Sequence, residues 1–388
     1  WLQLPVLQFF SGRSDIRLHI QAGGDTPGLS LASDLRGVEI SLPQPFYKSP
    51  ESPSVLAVTL PFGQEEQLLQ LTLADQIKLN LGFSDGALFG AHLTLGPTDT
   101  KKSVARPLLG QFNVDGRVDF ATFEQWRQIA DRYIASVPPS GGAAMVLAVN
   151  DLHIDDVDIF DHLLDDVRIT LRENVGRWQL RVDSVQLAGD LTFPRNDSSM
   201  ISKLVFQKLA LPAFEDRVAT DVVDVDPRTL MDANVDIQAL SVGGRNWGSV
   251  GFNLRSDETG AHFSELRGML RGIALAPSDG ESSLHWFRDD NGNQNSRLQG
   301  RFAVKDFGAV LAELGYSKVI ETKTGDFNVD MQWAGSPNQW NILHSDGDLE
   351  FSFNDGRFLK SSDAASGALR VFSVFNMANI GRRVKFDF

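Results

Sequence analysis

Apolar and polar residues alternate along much of this chain, and that alternation predicts β-strands with one apolar face and one polar face. The clearest run is 327–333, where Phe327, Val329, Met331 and Trp333 are separated by polar residues. Similar runs, with turn residues between them, occur at 77–83, 167–171, 250–254 and 349–353. The pattern therefore predicts a mainly β fold.

Three segments depart from this alternation and place apolar residues at helical spacing. They predict helices over residues 122–135, 306–314 and 364–380. Asp306 is a helix-capping residue type at the start of the second helix, and Gly315 follows its end. Because these helices are few and short, we expect them to cover the ends or edges of a sheet.

An internal repeat relates two parts of the chain without a gap. Residues 152–194 match residues 235–277 at an offset of 83 positions, with Leu171 opposite Leu254 and apolar residues in step along both copies. Repetition without a linker favours one elongated antiparallel sheet that is extended by stacking, rather than separate globules.

Three sections describe the expected domain organisation: an N-terminal β section at 1–140, the repeated units at 141–300 and a C-terminal section at 301–388. The Pro- and Gly-rich stretch 138–142 is the best candidate boundary, but it is short for a linker. We therefore expect one continuous structure. The chain starts without Met and has no signal peptide, so it is interpreted as a fragment of a longer protein.

Composition excludes several classes of function. The net charge of −14 argues against binding along a nucleic-acid backbone and against simple electrostatic docking on anionic lipid. The chain has no Cys, which excludes disulfides, Cys-based metal sites and thiol catalysis. No apolar run is long enough to predict a membrane-spanning helix. With 26 Phe against 3 Tyr, the chain has much apolar surface to bury.

No catalytic or metal-binding constellation is visible in the sequence. The Asp residues of segment 151–167 mostly occupy polar positions of an alternating pattern, which favours a solvated face. Segment 289–296 is a poor calcium loop, because its sixth position is Gln294 and its twelfth is Gly300. The seven His residues are scattered without metal-ligand or nucleophile spacing. We expect no enzyme activity, no metal and no cofactor.

Two sequence motifs carry a family resemblance. Residues 333–388 contain a W-x-G-S-P turn, a G-x-L-x-x-x-x-x-D-G-R-F hairpin and R-R-x-x-x-D-F, and residues 33–48 read S-D-L-x-G-x-x-x-x-L-P-x-P-x-x-K. The motif residues are Ser33, Asp34, Leu35, Gly37, Leu42, Pro43, Pro45, Lys48, Trp333, Gly335, Ser336, Pro337, Gly347, Leu349, Asp355, Gly356, Arg357, Phe358, Arg382, Arg383, Asp387 and Phe388. With them the chain resembles the YhdP branch of the AsmA-like proteins.

The resemblance implies a long, curved, mostly antiparallel sheet that forms an open, taco-like groove with an apolar concave face. It further implies a segment of a bridge-like transporter that moves phospholipid between the inner and outer membranes of a Gram-negative envelope. This segment would lie in the periplasmic region of an inner-membrane-anchored protein. Phospholipid acyl chains would be its ligands, and both membranes would be reached through other parts of the polypeptide.

The candidate groove residues lie on the apolar sides of the alternating strands. Pattern alone favours an ordinary β-sandwich core, whereas the resemblance favours a lipid groove. Two alternatives stay open: a structural or assembly factor of the envelope whose apolar face is buried on protein, and an envelope hydrolase, for which we find no residues. The candidates are Ile77, Leu79, Leu81, Phe83, Val167, Ile169, Leu171, Val250, Phe252, Leu254, Phe327, Val329, Met331, Trp333, Leu349, Phe351 and Phe353.

Overall fold

The computed structural model describes residues 8–24, 27–97, 106–136, 145–159, 162–174, 176–195, 200–212, 225–275, 282–313, 318, 320–340, 344–358 and 384–386. Within these ranges the fold is mainly β, as the sequence predicts, with two short helices, α1 (Phe123–Ser136) and α2 (Phe307–Glu313). Both helices lie where helical spacing predicts them. The predicted helix at 364–380 falls outside the described residues.

Strands of 2 to 14 residues fill most of the described chain. The first half contains β1 (Phe10–Gly12), β2 (Arg17–Gln21), β3 (Gly28–Ser33), β4 (Val38–Ile40), β5 (Leu56–Pro61), β6 (Glu66–Leu73), β7 (Ile77–Ser84), β8 (Ala87–Leu95), β9 (Gln111–Thr122), β10 (Val146–Ile159), β11 (His162–Asn174) and β12 (Arg177–Asp183). The second half contains β13 (Leu187–Pro194), β14 (Ser202–Leu211), β15 (Ala233–Val242), β16 (Arg245–Asp257), β17 (Gly260–Leu270), β18 (Ile273–Ala274), β19 (Ser283–Arg288), β20 (Gln294–Val304), β21 (Ile320–Glu321), β22 (Thr324–Ala334), β23 (Ser345–Asn354), β24 (Arg357–Phe358) and β25 (Val384–Phe386).

The chain divides into two compact units, Trp1–Ala188 (unit 1) and Gly189–Phe388 (unit 2). In unit 1 the main sheet has the order β2-β3-β5-β6-β7-β8-β9-β10-β11-β12. In unit 2 the order is β14-β15-β16-β17-β19-β20-β22-β23-β25. Each unit also has a small two-stranded ladder, β1–β4 or β21–β24. The three-section layout stays a prediction.

The sheets are mixed rather than purely antiparallel. Most neighbours are antiparallel, but β8–β9, β9–β10, β14–β15 and β23–β25 are parallel. A parallel pair needs a long crossover, whereas an antiparallel pair can be joined by a tight turn. The chain supplies such a crossover in each case, and α1 is part of the one between β9 and β10. Alternation within a strand carries no information on its partner's direction.

Strand pairing follows the sequence repeat. In unit 1, Ile154 of β10 pairs with Val167 of β11, and in unit 2 the positions 83 residues later, Ile237 and Val250, pair in the same way. The first strand of each pair, β10 or β15, is also parallel to the strand before it. The two copies therefore share both strand direction and register, each within its own unit.

Candidate functional site

Apolar side chains form continuous rows across the strands on one face of the unit 1 sheet. The middle row crosses ten strands, and at about 4.8 Å between neighbouring strands it is roughly 43 Å long. Its members, in order of strand pairing, are Leu18, Leu31, Val58, Leu71, Leu79, Leu93, Val114, Val149, Leu171 and Leu180.

Two further rows flank this middle row on the same face, because residues two positions apart on a strand share a face. The far row contains Leu69, Leu81, Ala91, Phe112 and Leu147. The capped row contains Leu56, Leu73, Ile77, Leu95, Gly116, Leu152, Ile169 and Val182.

The capped row of unit 1 lies under a lid. Leu35 and Ile40 form a buried cluster with Leu73. Farther along the row, Phe46 packs into a cluster that includes Val118, Ile154 and Val167 and that α1 covers through Trp126. The Phe46 and Trp126 rings meet edge to face with their centroids 5.8 Å apart. This margin of the sheet, which we call the capped margin, is therefore a closed protein core.

The middle and far rows of unit 1 are more open. Eight of the ten middle-row side chains are partly exposed, while Val114 is buried and Leu18 is 57% exposed. Of the middle row, Leu71 packs against the cluster of Leu35, Ile40 and Leu73, to which Phe10 and Val38 of the β1–β4 ladder also contribute. A sandwich core would bury such Leu and Val side chains almost completely. The far margin of the face, beyond the far row, is thus less covered than the capped margin.

Unit 2 has a capped margin as well, filled mainly by aromatic side chains. The ring of Phe307, on α2, lies 4.9 Å from Phe353 and 5.6 Å from Phe327, and Phe327 meets Phe351 edge to face at 4.9 Å. Val310 of α2 is buried in the same cluster. Edge-to-face pairs add specific attraction to the burial of these rings.

The middle row of unit 2 lies next to this aromatic cluster and mixes aliphatic, aromatic and small residues. Leu254, Phe263, Leu284 and Leu298 are partly exposed, whereas Met331 is buried. In order of strand pairing, the row contains Ala233, Leu254, Phe263, Leu284, Leu298, Met331 and Gly347.

The far row of unit 2 pairs tryptophan with small residues, mostly serine: Ser256, Ala261, Trp286, Ser296, Trp333 and Ser345. The indole Nε1 of Trp286 donates to Gln294 Oε1 at 3.2 Å, and that of Trp333 donates to the Ser336 carbonyl oxygen at 3.1 Å. Each indole therefore presents an apolar body to the sheet face and bonds a polar group with its N–H.

A short 3-10 turn, Pro227–Thr229, lies against this far margin of unit 2. Pro227 is fully buried, and Asp226 caps the turn. Arg228 forms a two-point ion pair with Asp226, and these hydrogen bonds lower the pKa of Asp226 to about 2. The far margin of unit 2 is thus bordered by charged and polar groups.

A known protein family matches the whole chain. The family model described as YhdP protein matches residues 1–388. The chain belongs to the YhdP family. Neither the curated proteins nor the solved structures that were compared with it gave a match. Membership of the YhdP family and the partly exposed apolar rows of unit 1 are two independent observations.

Most described residues of the two motifs that carry the YhdP resemblance lie at margins of the apolar faces, whereas Arg382, Arg383, Asp387 and Phe388 lie outside the described residues. In the first motif, Leu35 is buried against Leu73, and Lys48 Nζ donates to the carbonyl oxygens of Val38 and Ser49 at 2.7 and 2.9 Å. In the second, Trp333 closes its own W-x-G-S-P turn through the bond to Ser336. These motif residues thus shape the margins, although the motif residue Gly347 belongs to the middle row of unit 2.

The predicted groove residues divide by their surroundings. Ile77, Val167, Ile169, Val250, Phe327, Val329, Phe351 and Phe353 belong to the clusters at the capped margins. Met331 and Trp333 are buried elsewhere on the unit 2 face. The partly exposed candidates outside the capped clusters are Leu79, Leu81, Phe83, Leu171, Phe252, Leu254 and Leu349. Lipid contact by any of them stays a prediction.

Several residues of the same apolar rows were not among the predicted groove residues. Leu93, Leu147, Leu284 and Leu298 occupy the same rows, and the alternation of short runs such as 298–304 could have found them. Leu93 and Leu284 are next to His92 and His285, and Gly300 interrupts the run that contains Leu298, which makes the alternation less obvious.

The opposite face of the unit 2 sheet is polar. Arg297 pairs with Asp330 at 2.8 Å, and this hydrogen bond lowers the pKa of Asp330. In the described ranges, His, Asp and Glu never form a group of three suited to a metal ion. The same ranges contain no helix with the length and apolar character needed to cross a membrane.

Proposed function

We propose that this YhdP-family chain is a segment of a bridge-like transporter and holds the acyl chains of phospholipids on its partly exposed apolar rows. The observation that carries the proposal is the middle row of unit 1, in which the aliphatic side chains on nine of ten paired strands, all except Val114, stay at least partly exposed. Family membership supports the envelope context. In this proposal the segment is periplasmic, acts between the inner and outer membranes, and catalyses no reaction.

Transfer energetics explain the use of such a surface. Moving each CH₂ from hydrocarbon into water costs about 0.8 kcal/mol, so two chains of roughly 16 carbons cost about 25 kcal/mol. A barrier of that height implies escape times on the order of days. An apolar row that stays in contact with the chain removes much of the barrier.

The alternative function, a structural or assembly factor, finds its support in unit 2. There Phe327, Met331, Trp333 and Phe353 are buried by the protein itself. Burial of this kind is what an ordinary core requires. The two functions are separated by whether lipid binds the open rows of unit 1.

Leu171→Asp tests the proposal, with Arg172→Asp as its matched control. Leu171 lies in the open middle row, whereas the neighbouring Arg172 is exposed on the opposite face of the same strand. The Asp at position 171 should lower bound phospholipid roughly tenfold, because re-exposing about two CH₂ groups costs about 1.6 kcal/mol. Phospholipid that remains bound to the purified protein would be quantified by mass spectrometry.

Both variants should stay folded, since a carboxylate on a partly exposed row can reach water. We expect Leu171→Asp to lower the free energy of unfolding by about 1–2 kcal/mol and Arg172→Asp by less than about 0.5 kcal/mol. A folded Leu171→Asp protein that retains the wild-type amount of phospholipid would contradict the proposal. Equal loss in both variants would point to a charge effect instead of a groove.

A further inference from the structure

We infer that two stacked histidines on the polar face of unit 2, His262 and His285, form a pH-sensitive element. The pair holds β17 against β19 while the His285 ring is neutral, and it loosens this ladder once that ring is protonated. The two rings lie on the face opposite to the apolar rows, because each is adjacent in its strand to a middle-row residue, Phe263 or Leu284. The inference therefore does not depend on lipid binding.

The ladder between β17 and β19 is short. It contains four residue pairs, from Gly260–Phe287 to Phe263–Leu284. Farther along β17, the strand β18 takes the place of β19 and pairs with β20 on its other side. Because few backbone hydrogen bonds join β17 to β19, the side-chain contacts across this ladder contribute a large share of its stability.

The two imidazole rings are in direct contact across this ladder. His262 and His285 are cross-strand partners, and their rings stack with centroids 4.2 Å apart and planes inclined by 11°. The Phe287 ring also stacks on His285, at 4.8 Å. Neutral rings at these distances attract each other by dispersion, whereas two imidazolium rings repel. The stack therefore stabilises the ladder in one protonation state and destabilises it in the other.

His285 lies where a proton on its ring is unfavourable. Its Nε2 atom is buried and has no hydrogen-bond partner among the described residues. Both nitrogens of a protonated imidazole are donors, so Nε2 would be a buried donor without an acceptor. Burial and the charge of His262 lower the pKa of His285 from its ordinary value of 6.5. The charge of Asp257 and a hydrogen bond with the Thr259 backbone act on this pKa in the opposite direction and are outweighed.

His262, in contrast, has partners that accommodate a positive charge. Its Nε2 atom lies 3.3 Å from the Asp257 carboxylate and 3.0 Å from Thr259 Oγ1. Hydrogen bonds from the side chain and backbone of Thr259 lower the pKa of Asp257 to about 2, so this carboxylate is ionised at neutral and mildly acid pH. A protonated His262 is therefore balanced by Asp257, whereas a protonated His285 would face that cation across the stack.

The neighbouring strands add two further cations to the same row of the polar face. On β20 the cross-strand neighbour of His285 is Arg297, whose guanidinium is already bonded to Asp330. On β16 the neighbour of His262 is Arg255, whose guanidinium donates to carbonyl oxygens of β15 and β16. Protonation of both histidines would thus place four cations side by side on four strands.

The direction of the pH effect follows from the lowered pKa of His285. When β17 and β19 separate, the ring leaves the stack and its pKa returns toward 6.5. The separated state then binds a proton more readily than the paired state. The stabilisation of the ladder is therefore fully present above pH 6.5 and is lost progressively as the pH falls below that value.

Hydrogen–deuterium exchange followed by mass spectrometry tests this element. It would be measured at about pH 7.5 and about pH 5.5, on either side of an ordinary histidine pKa, with labelling times scaled for the intrinsic effect of pH on exchange. We expect the protection of residues 260–263 and 284–287 to fall roughly tenfold at the lower pH, since one pKa unit corresponds to a tenfold change in an equilibrium. Protection of β22 and β23 should not change.

His285→Phe keeps a ring in the stack but cannot take up a proton, so it should abolish the effect of pH on this ladder. His344→Phe changes an exposed histidine of the same unit and is the matched control, which should behave as the wild type. His262→Gln removes the neighbouring cation and should reduce the loss of protection to less than about half of the wild-type value.

Four results would overturn the inference. The first is wild-type protection of the ladder that does not change with pH. The second is a loss that persists in His285→Phe, and the third is an unchanged loss in His262→Gln, because either would show that acid acts elsewhere than on the stacked pair. The fourth is an equal loss in β22 and β23, which would show that acid loosens the whole unit.

Discussion

The repeated strand pairs of units 1 and 2, β10–β11 and β15–β16, share their register, but the two units fill their apolar faces differently. The middle row of unit 1 is aliphatic and remains at least partly exposed on nine of its ten strands. The unit 2 face has a Phe cluster at one margin and two Trp at the other, with Met331 buried between them. The comparison teaches that a repeated β frame fixes where side chains point, while the segments that pack over a face decide where it is closed.

The largest expected effect is the loss of stability when the Phe cluster at the capped margin of unit 2 is disrupted. Phe327→Ala should lower the free energy of unfolding by about 3–5 kcal/mol, because it leaves a cavity among Phe307, Phe351 and Phe353. Phe263→Ala, on the partly exposed middle row of the same unit, should cost less than half as much. Chemical denaturation of both variants measures the difference. Equal costs would show that the middle row of unit 2 is as closed as its capped margin.

A smaller effect should come from the glycine beside this cluster. A Cβ on Gly325 would lie 2.6 Å from the Phe353 ring, so Gly325→Ala should destabilise the protein by about 1–3 kcal/mol. Gly23 in unit 1 has open space around its Cβ position, and Gly23→Ala is the control. Thermal melts of both variants check this, and an unchanged melting temperature for Gly325→Ala would show that the aromatic packing is loose.

The smallest expected effect is a decrease in the free energy of unfolding at acid pH, caused by the loss of the Asp226–Arg228 ion pair at the far margin of unit 2. The pKa of Asp226 is lowered from 3.8 to about 2 in the folded state, so its ion pair stabilises the fold above that ordinary value. This contribution is lost as the pH falls from about 4 to about 2.

Asp226→Asn and Arg228→Gln should each flatten the dependence of unfolding free energy on pH across that window. Denaturation series at several pH values provide the measurement. If the slope of the wild-type protein persists in both variants, the ion pair does not anchor the 3-10 turn at this margin.

Much of the fold could be predicted because alternation, helical spacing and the 83-residue offset are local or periodic signals. The sequence correctly predicted α1, α2 and the apolar positions of β7, β22 and β23. It did not predict the parallel ladders, because the direction of a partner strand depends on the connection between strands.

Sequence also could not separate the closed margin from the open rows. Ile77 and Leu81 occupy equivalent positions in an alternating strand, yet only Ile77 is covered by the lid around Phe46. That lid comes from residues distant in sequence, and its placement depends on tertiary packing. The sequence therefore predicts on which face of the sheet a strand residue lies, but it does not predict whether other segments of the chain pack over that residue.

The parallel ladders have a consequence for how this architecture can diverge. The crossover between β9 and β10 includes α1, whereas the equivalent crossover between β14 and β15 includes the turn Pro227–Thr229. Register nevertheless agrees between the two copies. A surface crossover can change length at a modest entropic cost without moving the strands that it joins. Evolution and protein engineering can therefore exchange accessory segments at these connections while the sheet keeps its frame.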